Sequence, residues 1–218
     1  MNTLEYITNK YNIKVGRQYI VDIPDMGSPD LAKLFAELGF TEGVEVGVLH
    51  GDYSKMLCEN NPNLHLSSVD AWSTGTYREG FLEQSHPRPG SDGQPYYDRA
   101  YETAKEKLAP FNCTLIKKTS MEAVKDFEDG SLDFVYLDAG HDFVNFTVDL
   151  DAWKKKVRPG GILAGHDYMR FKPHKEIHVK WVLQGYMRSY NMIPIFVLPR
   201  RRVKPRRDLY GNWFTVIK

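Results

Sequence analysis

The sequence predicts a single α/β domain over residues 1–218, with a doubly wound, mostly parallel β-sheet and an antiparallel edge strand. Short apolar runs alternate with amphipathic stretches along most of the chain, which is the pattern of βαβ units around a parallel sheet. Near the end of the chain, two strand patterns flank a basic loop, as expected for an antiparallel edge. A length of 218 residues suffices for one such domain with a buried core and is short for two.

In the first half of the chain, glycines separate the apolar runs from the amphipathic stretches. Apolar residues at helical spacing end at Gly39, a typical helix terminator, and the run GVEVGV then predicts a buried strand. Gly51 separates this strand from a second helical pattern, and the next apolar run ends at Asp70. The predicted elements are a helix over 31–38, a strand over 43–48, a helix over 52–61 and a strand over 63–69.

In the second half of the chain, the clearest strand–helix–strand unit begins at Ser131. SLDFVYLD is typical of a buried strand, DFVNFTVDLDAWKKKV of a helix, RPGG of a turn and ILAGHD of the next strand. All predicted elements in this half are a helix over 97–108, a strand over 113–118, a short helix after 120, a strand over 131–138, a helix over 142–157, a strand over 162–167, a helix over 179–190, and strands over 193–198 and 212–218.

Three segments lie outside this regular pattern. Residues 1–38 are expected to form an N-terminal cap region. Residues 72–98 are rich in Ser, Gly and Pro, and a loop of that length within a compact domain is usually a lid or a binding loop. Residues 200–210 form a basic loop, which either discourages edge-to-edge pairing of strands or clamps an anionic ligand.

Composition and charge narrow the function classes. The 29 Lys and Arg residues balance 28 Asp and Glu residues, whereas a protein that mainly binds polyanions carries a larger excess of positive charge. No stretch approaches the roughly 20 consecutive apolar residues of a membrane helix. Cys58 and Cys113 lack metal-binding spacing and fit free thiols in a reducing compartment. We therefore expect a cytoplasmic protein that is not embedded in a membrane.

The first candidate site follows the predicted strand that ends in E-V-G-V-L-H-G. Gly47 allows the backbone to approach a ligand closely, and Gly51 allows a tight turn into a helix whose N-terminus favours anionic groups. Asp70 ends the next strand. Its separation from Gly47 along the chain is close to the roughly 20 residues expected for a ribose-binding acid. The glycines do not follow G-x-G-x-x-G, which disfavours a pyrophosphate ligand. This site therefore predicts a nucleotide-type ligand, with ordinary turn glycines as the alternative.

The second candidate site combines acids and imidazoles at the ends of two later strands. Asp138 ends one predicted strand, and His166 and Asp167 end the next. Carboxylates at neighbouring strand ends repel unless a proton or a cation lies between them, which predicts a divalent metal. His141, three residues past Asp138, is suited to accept a proton near neutral pH. Solvated loop residues or helix N-caps are the alternative.

Together these motifs resemble those of class I S-adenosylmethionine (SAM)-dependent methyltransferases. The resemblance covers about residues 39–167 and is carried by VEVGVLHGDYS, SSVDAW, LDAGHDF and RPGGILAGHDY. Within that class, the chain resembles the small-molecule O-methyltransferases that include the macrocin- and mycinamicin-type sugar enzymes. The resemblance implies a Rossmann-like sheet, SAM as the methyl donor and a hydroxyl of a sugar or another small molecule as the acceptor.

The resemblance also implies roles for individual residues, to which we add the neighbouring Gly51 and Trp72. The expected cofactor contacts are Glu45, Gly47, Gly51 and Ser54 around the methionine end, Asp70 at the ribose, Trp72, Ser120 and Met121 around the adenine, and Asp138. Packing in the core is the alternative for Trp72. The expected metal ligands are Asp138, His166 and Asp167, and the expected catalytic residues are His141, as the base, and Asp138.

His166 departs from the family pattern, because the sugar methyltransferases carry an acid at that position. A neutral imidazole is a poorer ligand for Mg²⁺ than a carboxylate and suits Mn²⁺ better. The metal is therefore Mg²⁺ or Mn²⁺, or His166 is a second base, or this branch works without a metal. The expected partner is a small-molecule acceptor, such as a sugar or an anionic glycan, and the sequence leaves the oligomeric state open, with a homo-oligomer as one alternative. The alternative function is nucleic-acid binding or modification through the arginines of residues 200–207.

Overall fold

Eight strands form one mixed sheet in the computed structural model, which describes residues 2–16, 19–74, 92–169, 177–198 and 210–218. The strands are β1 (Ile20–Asp22), β2 (Glu42–Val46), β3 (His65–Asp70), β4 (Cys113–Lys117), β5 (Leu132–Leu137), β6 (Val157–Gly165), β7 (Ile195–Leu198) and β8 (Asn212–Val216). The α-helices within the described residues are α1 (Thr3–Lys10), α2 (Ser28–Glu37), α3 (Asp52–Asn60), α4 (Gln94–Leu108), α5 (Ser120–Ala123), α6 (Phe143–Trp153) and α7 (Val179–Ser189).

The strand order is β1-β7-β8-β6-β5-β2-β3-β4. All neighbouring strands run parallel except β8, which is antiparallel to both β6 and β7 toward one edge of the sheet. The chain moves outward from β2 through β3 to β4 and then returns to β5 on the other side of β2. The switch point therefore lies between β2 and β5, where open α/β sheets bind their ligands. The predicted fold class is confirmed.

Side chains alternate between two apolar layers, one on each face of the sheet. In β5, Phe134 and Tyr136 face the layer that α1, α2 and α3 cover. Val135 and Leu137 face the opposite layer, which α6 and α7 cover. Because successive residues of a strand point to opposite faces, a strand buried on both sides reads as the continuous apolar run seen in the sequence.

The prediction of a turn at RPGG (158–161) is wrong, because these residues belong to β6. The register of β6 against β5 shifts between Leu132 and Phe134, so the extra residues of β6 form an irregularity within the strand. A Cβ at Gly161 would lie 2.5 Å from the carbonyl oxygen of Asp133, which leaves room only for glycine there. The pattern of turn residues is therefore real, but it marks a bulge and not a strand boundary.

Helix α1 and strand β1 are absent from the sequence predictions. The Asn2 side chain caps α1 and the Glu5 side chain bonds back to the Asn2 backbone, forming a capping box. Strand β1 has only three residues and pairs in parallel with β7 at the edge of the sheet. Both elements fall within residues 1–38, so this region contributes a strand to the sheet.

Two segments that the sequence singled out lie largely outside the described residues. The predicted lid over 72–98 includes residues 75–91, which are outside, whereas residues 94–98 belong to α4. The basic loop over 200–210 is described only at Tyr210. Within the described ranges, every helix is too short or too polar to cross a lipid bilayer.

Candidate active site

The turn after β2 lies directly against the end of β5. Gly47 has a φ of +97°, and a Cβ at this position would lie 2.3 Å from the carbonyl oxygen of Asp138. A side chain is therefore excluded both by contact and by backbone conformation. The Gly47 N–H donates to the carbonyl of Val69 at 2.8 Å, and Gly51, with a φ of +74°, precedes α3. The predicted glycines thus hold this turn close to the ends of β3 and β5.

Asp70 ends β3, and its carboxylate holds the same turn. Oδ2 accepts hydrogen bonds from the backbone N–H groups of Val48 at 2.9 Å and Leu49 at 3.0 Å. Oδ1 accepts from the Trp72 N–H at 2.8 Å. Asp70 is half-buried beside the turn, where a ribose-binding acid is expected. Its contact with a ribose remains a prediction.

Glu45 and Ser54 lie beneath the turn rather than on its surface. Both are buried, the Ser54 hydroxyl donates to Glu45 Oε2, and the Ser54 and Ser68 hydroxyls are 2.7 Å apart. Burial raises the pKa of Glu45 well above its usual range, and the hydrogen bond from Ser54 opposes this only in part. Burial therefore favours the neutral form of Glu45, and this pair supports the turn from the interior.

The indole of Trp72 is packed inside the protein. It is fully buried, its Nε1–H donates to the carbonyl of Leu49 at 2.8 Å, and its ring centroid lies 4.9 Å from that of Tyr101. These contacts support the packing alternative, because the indole N–H already has an acceptor and the ring already packs against Tyr101. Trp72 therefore fixes Leu49 in the turn.

Ser120 and Met121 lie after β4, as the sequence predicts, but the Ser120 side chain turns toward α6. Its hydroxyl donates to Asp149 Oδ1 at 2.5 Å and accepts from Trp153 Nε1 at 2.8 Å. Met121 is half-buried and packs against the apolar layer under α6 and α7. Met121 is therefore the better placed of the two to border an adenine ring.

The structure brings the four acid and imidazole residues of the second candidate site together at the ends of β5 and β6. His141 Nε2 lies 2.9 Å from Asp167 Oδ2 and 3.2 Å from Asp138 Oδ1. His166 Nδ1 lies 3.7 Å from a carboxylate oxygen of each acid. We call Asp138, His141, His166 and Asp167 the acid–imidazole cluster.

His141 carries the positive charge of this cluster. Burial by itself would lower the pKa of His141, but the hydrogen bonds to Asp138 and Asp167 outweigh it and raise the pKa to about 10. The imidazole is therefore protonated at neutral pH in this arrangement. Its charge offsets the repulsion between the two carboxylates. The sequence predicts that a proton or a metal ion between them has this effect.

The same groups fit a divalent metal. One ligand atom from each of Asp138, His141 and Asp167 lies within 4.8 Å of the other two. Carboxylate oxygens together with imidazole nitrogen suit Mn²⁺ and related ions. This group contains His141 in place of His166, which the sequence predicted as the nitrogen ligand. Either imidazole can supply the nitrogen, because both lie against the same two carboxylates.

A family model described as a methyltransferase domain matches residues 44–168, more than half of the chain. The chain belongs to this methyltransferase family. The matched range runs from β2 to the end of β6 and so includes the Gly47 turn and the acid–imidazole cluster. The prediction of a methyltransferase is confirmed, and the alternative of a nucleic-acid-binding protein is not favoured.

Solved structures share the fold of this methyltransferase. An O-methyltransferase from Bacillus cereus, in complex with SAH, is 15% identical with a TM-score of 0.60, and the match covers 99% of this chain and 90% of that one. The O-methyltransferase TomG from Streptomyces achromogenes, involved in tomaymycin synthesis and in complex with SAM, is 12% identical with a TM-score of 0.59, covering 99% and 89%. At these identities the likeness establishes the fold. No curated protein matches the chain significantly.

Two residues of this methyltransferase that lie next to the cluster were not predicted. The Tyr210 ring centroid lies 5.8 Å from that of His166. The His178 backbone N–H donates to the His141 carbonyl at 2.8 Å. No motif surrounds either residue in the sequence. His178 directly precedes an amphipathic stretch, and a helix start was the only signal available there.

Proposed function

We propose that this methyltransferase transfers the methyl group of SAM to a hydroxyl of a sugar or another small molecule. The observation that carries the proposal is the contact between Gly47 and the Asp138 backbone. This contact joins the turn expected to hold the donor to the acid–imidazole cluster. A methyl group held at the turn therefore lies beside side chains that can bind and deprotonate a hydroxyl.

For the donor, we assign each part of SAM to a group beside the turn. The methionine carboxylate is assigned to the N-terminus of α3 after Gly51, where the helix dipole favours negative charge. The ribose hydroxyls are assigned to Asp70 and the adenine to Met121. Glu45 and Ser54, buried beneath, keep the turn in shape. The SAM- and SAH-bound proteins of the same fold support this choice of donor.

For the acceptor, the protein must supply position and a destination for one proton, because the sulfonium already activates the methyl group. As the acceptor oxygen attacks the methyl carbon and the C–S bond breaks, the hydroxyl proton passes to His141 Nε2. His141 can accept it only after releasing the proton that Asp138 and Asp167 stabilise. The base function therefore requires another positive charge at the two carboxylates.

A divalent metal is the proposed source of that charge. Asp138, Asp167 and His166 would hold it, which leaves His141 available for the proton. A bound Mn²⁺ or Mg²⁺ supplies a Lewis acid that lowers the pKa of a coordinated hydroxyl. The convergence of the Asp138 and Asp167 carboxylates supports a metal at this position, and His166 Nδ1, 3.7 Å from an oxygen of each acid, supports His166 as the nitrogen ligand.

The test is methyl transfer from SAM with a labelled methyl group to a panel of sugars and non-sugar alcohols, with and without Mn²⁺ or Mg²⁺. Asp138→Asn is expected to reduce transfer at least about 100-fold, since it removes one carboxylate from the cluster. Asp129→Asn is the matched control, because Asp129 is an exposed acid paired only with Lys156 among the described residues. Absence of SAM binding at millimolar concentration, or equal activity of the two variants, would refute the proposal.

A further inference from the structure

His178 connects the start of α7 to the segment that carries His141. Its backbone N–H donates to the His141 carbonyl at 2.8 Å, and its ring Nδ1 accepts from the Phe143 N–H at 3.0 Å. Its own carbonyl accepts from the Trp181 N–H at 2.9 Å and so begins α7. His178 therefore forms hydrogen bonds with His141 and Phe143, the residues on either side of Asp142, although α7 is distant from them along the chain.

The ring of His178 completes the cap of α6. The first four N–H groups of a helix have no partner within the helix. In α6, Asp142 Oδ1 accepts from the N–H groups of Val144 and Asn145, and the Asp142 carbonyl accepts the first intrahelical bond, from Phe146. The Phe143 N–H donates to the His178 ring. The N–H groups of residues 143–146 therefore all have an acceptor.

The segment between β5 and α6 carries His141 and is anchored at both of its ends. Asp138 is anchored to β2, since its N–H donates to the Val46 carbonyl at 2.7 Å. At the other end, the segment is anchored by the Asp142 cap and by the two bonds from His178. The His141 ring must lie between Asp138 and Asp167, so a shift of the segment changes its distance to both carboxylates.

We propose that His178 is a positioning residue, which sets the place of the His141 ring through the hydrogen bond between its Nδ1 and the Phe143 N–H. It touches neither the Gly47 turn nor the two carboxylates among the contacts of the described residues, so it acts through the 141–143 backbone. The expected effect on the rate rests on the proposed function. The expected effect of His178 on the position of the His141 ring does not depend on methyl transfer.

The proposal requires that the side chain of residue 178 present a hydrogen-bond acceptor at the position of the His178 Nδ1. A neutral imidazole with its proton on Nε2 provides one. The carboxamide oxygen of asparagine lies at a similar distance from the backbone and also accepts, whereas alanine offers no acceptor. The glutamine oxygen is one methylene further away. The series His178→Asn, His178→Gln and His178→Ala therefore separates acceptor geometry from simple loss of the ring.

The experiment combines three measurements on these variants and on His65→Ala, a matched histidine control at the amino end of β3. Hydrogen exchange reports the Phe143 N–H, ¹⁵N spectra of histidine rings report the environment of His141, and kinetics report kcat and the KM for SAM. For His178→Ala we expect Phe143 exchange to accelerate about fivefold. We also expect a shifted His141 ring signal and a kcat lower by about tenfold or more, with the KM for SAM within about twofold.

His178→Asn is expected to restore all three properties, and His178→Gln only in part. If His178→Ala unfolds, the comparison of the Asn and Gln variants still measures acceptor placement in a folded protein. An unchanged His141 ring signal in a variant that lacks the acceptor would overturn the inference, whether or not the wild type transfers methyl groups. Equal loss of kcat in the Asn and Ala variants would also overturn it. Failure of the wild type to bind SAM would instead refute the proposed function.

Discussion

Gly47 and Asp138 are in van der Waals contact through their backbones, so the turn after β2 lies directly against the end of β5. A side chain at residue 47 would overlap the Asp138 carbonyl, and the φ of +97° disfavours any residue other than glycine. The turn therefore cannot approach the end of β5 more closely without a change in backbone conformation. In the proposed function, this contact sets the distance between the methyl donor and the acid–imidazole cluster.

Gly47→Ala is expected to destabilise the protein by about 2–3 kcal/mol, because it adds overpacking to an unfavourable φ. The same displacement of the turn should weaken SAM binding at least about tenfold. Chemical denaturation and calorimetry with SAM measure the two effects. Gly185→Ala is the control, since a Cβ at Gly185 meets no atom within 4 Å and the residue lies in helix α7. Wild-type stability in Gly47→Ala would contradict the observed contact.

Removal of divalent metal is expected to abolish methyl transfer while leaving cofactor binding intact. The carboxylates of the cluster would hold the metal, whereas the donor turn contains no predicted ligand, so the two functions should separate. Calorimetry with SAH measures cofactor binding, and the methyl-transfer assay measures activity. Both are made before and after exhaustive chelation and again after addition of Mn²⁺ or Mg²⁺. Transfer that continues after chelation would remove Asp138 and Asp167 from the role of metal ligands.

Glu45→Gln is expected to stabilise the protein increasingly as the pH rises above about 4.3 toward the raised pKa of the folded carboxyl. The unfolded chain releases the Glu45 proton at a pKa of about 4.3, whereas burial raises the pKa of the folded carboxyl well above its usual range. The folded state of the wild type therefore loses stability as the pH increases above that value, and a neutral glutamine removes this loss. Unfolding free energies across the range, with the exposed Glu59→Gln as control, provide the measurement. A constant difference between wild type and variant would show that Glu45 ionises in the folded protein.

Asp133→Asn is expected to cost about 2 kcal/mol at pH 7, and less at low pH. Burial alone would raise the pKa of Asp133, but hydrogen bonds from the Thr41 and Glu42 N–H groups and from Arg158 lower it. The ionised carboxylate therefore stabilises the fold above pH 4, and this contribution decreases as the pH falls through the lowered pKa. Urea unfolding at pH 7 and pH 3 tests the sign, and Asp129→Asn again serves as the exposed control.

The strand-end residues could be predicted from the sequence because parallel strands direct their carboxyl ends to one edge. Asp70, Asp138 and Asp167 each lie at the end of a predicted strand, and the structure places all three at that edge. The burial of Glu45 could not be predicted in the same way. Strand β2 is buried on both faces, so alternation along it does not separate an exposed acid from an enclosed one.

Contacts between elements distant along the chain also escaped prediction. The hydrogen bond from the Phe143 N–H to the His178 ring arises from the packing of α7 against α6. The sequence between α6 and α7 contains no motif that specifies this bond. Likewise, β1 is too short to give a strand pattern and becomes a strand only through its pairing with β7. Local patterns identified which residues end strands, whereas tertiary packing determined which of them meet.

Within the described part of the chain, β8 is the only strand that joins β7, and through it β1, to the rest of the sheet. During synthesis, residues 20–22 leave the ribosome long before residues 195–198 and 212–216, so β1 can join the sheet only after the last strand is made. Truncation before Asn212 would remove β8, detach β7 and β1 from the sheet, expose the flank of β6 and eliminate the Trp213 indole, whose Nε1–H donates to the His166 carbonyl. Premature chain termination would thus yield an aggregation-prone product with an unsupported cluster.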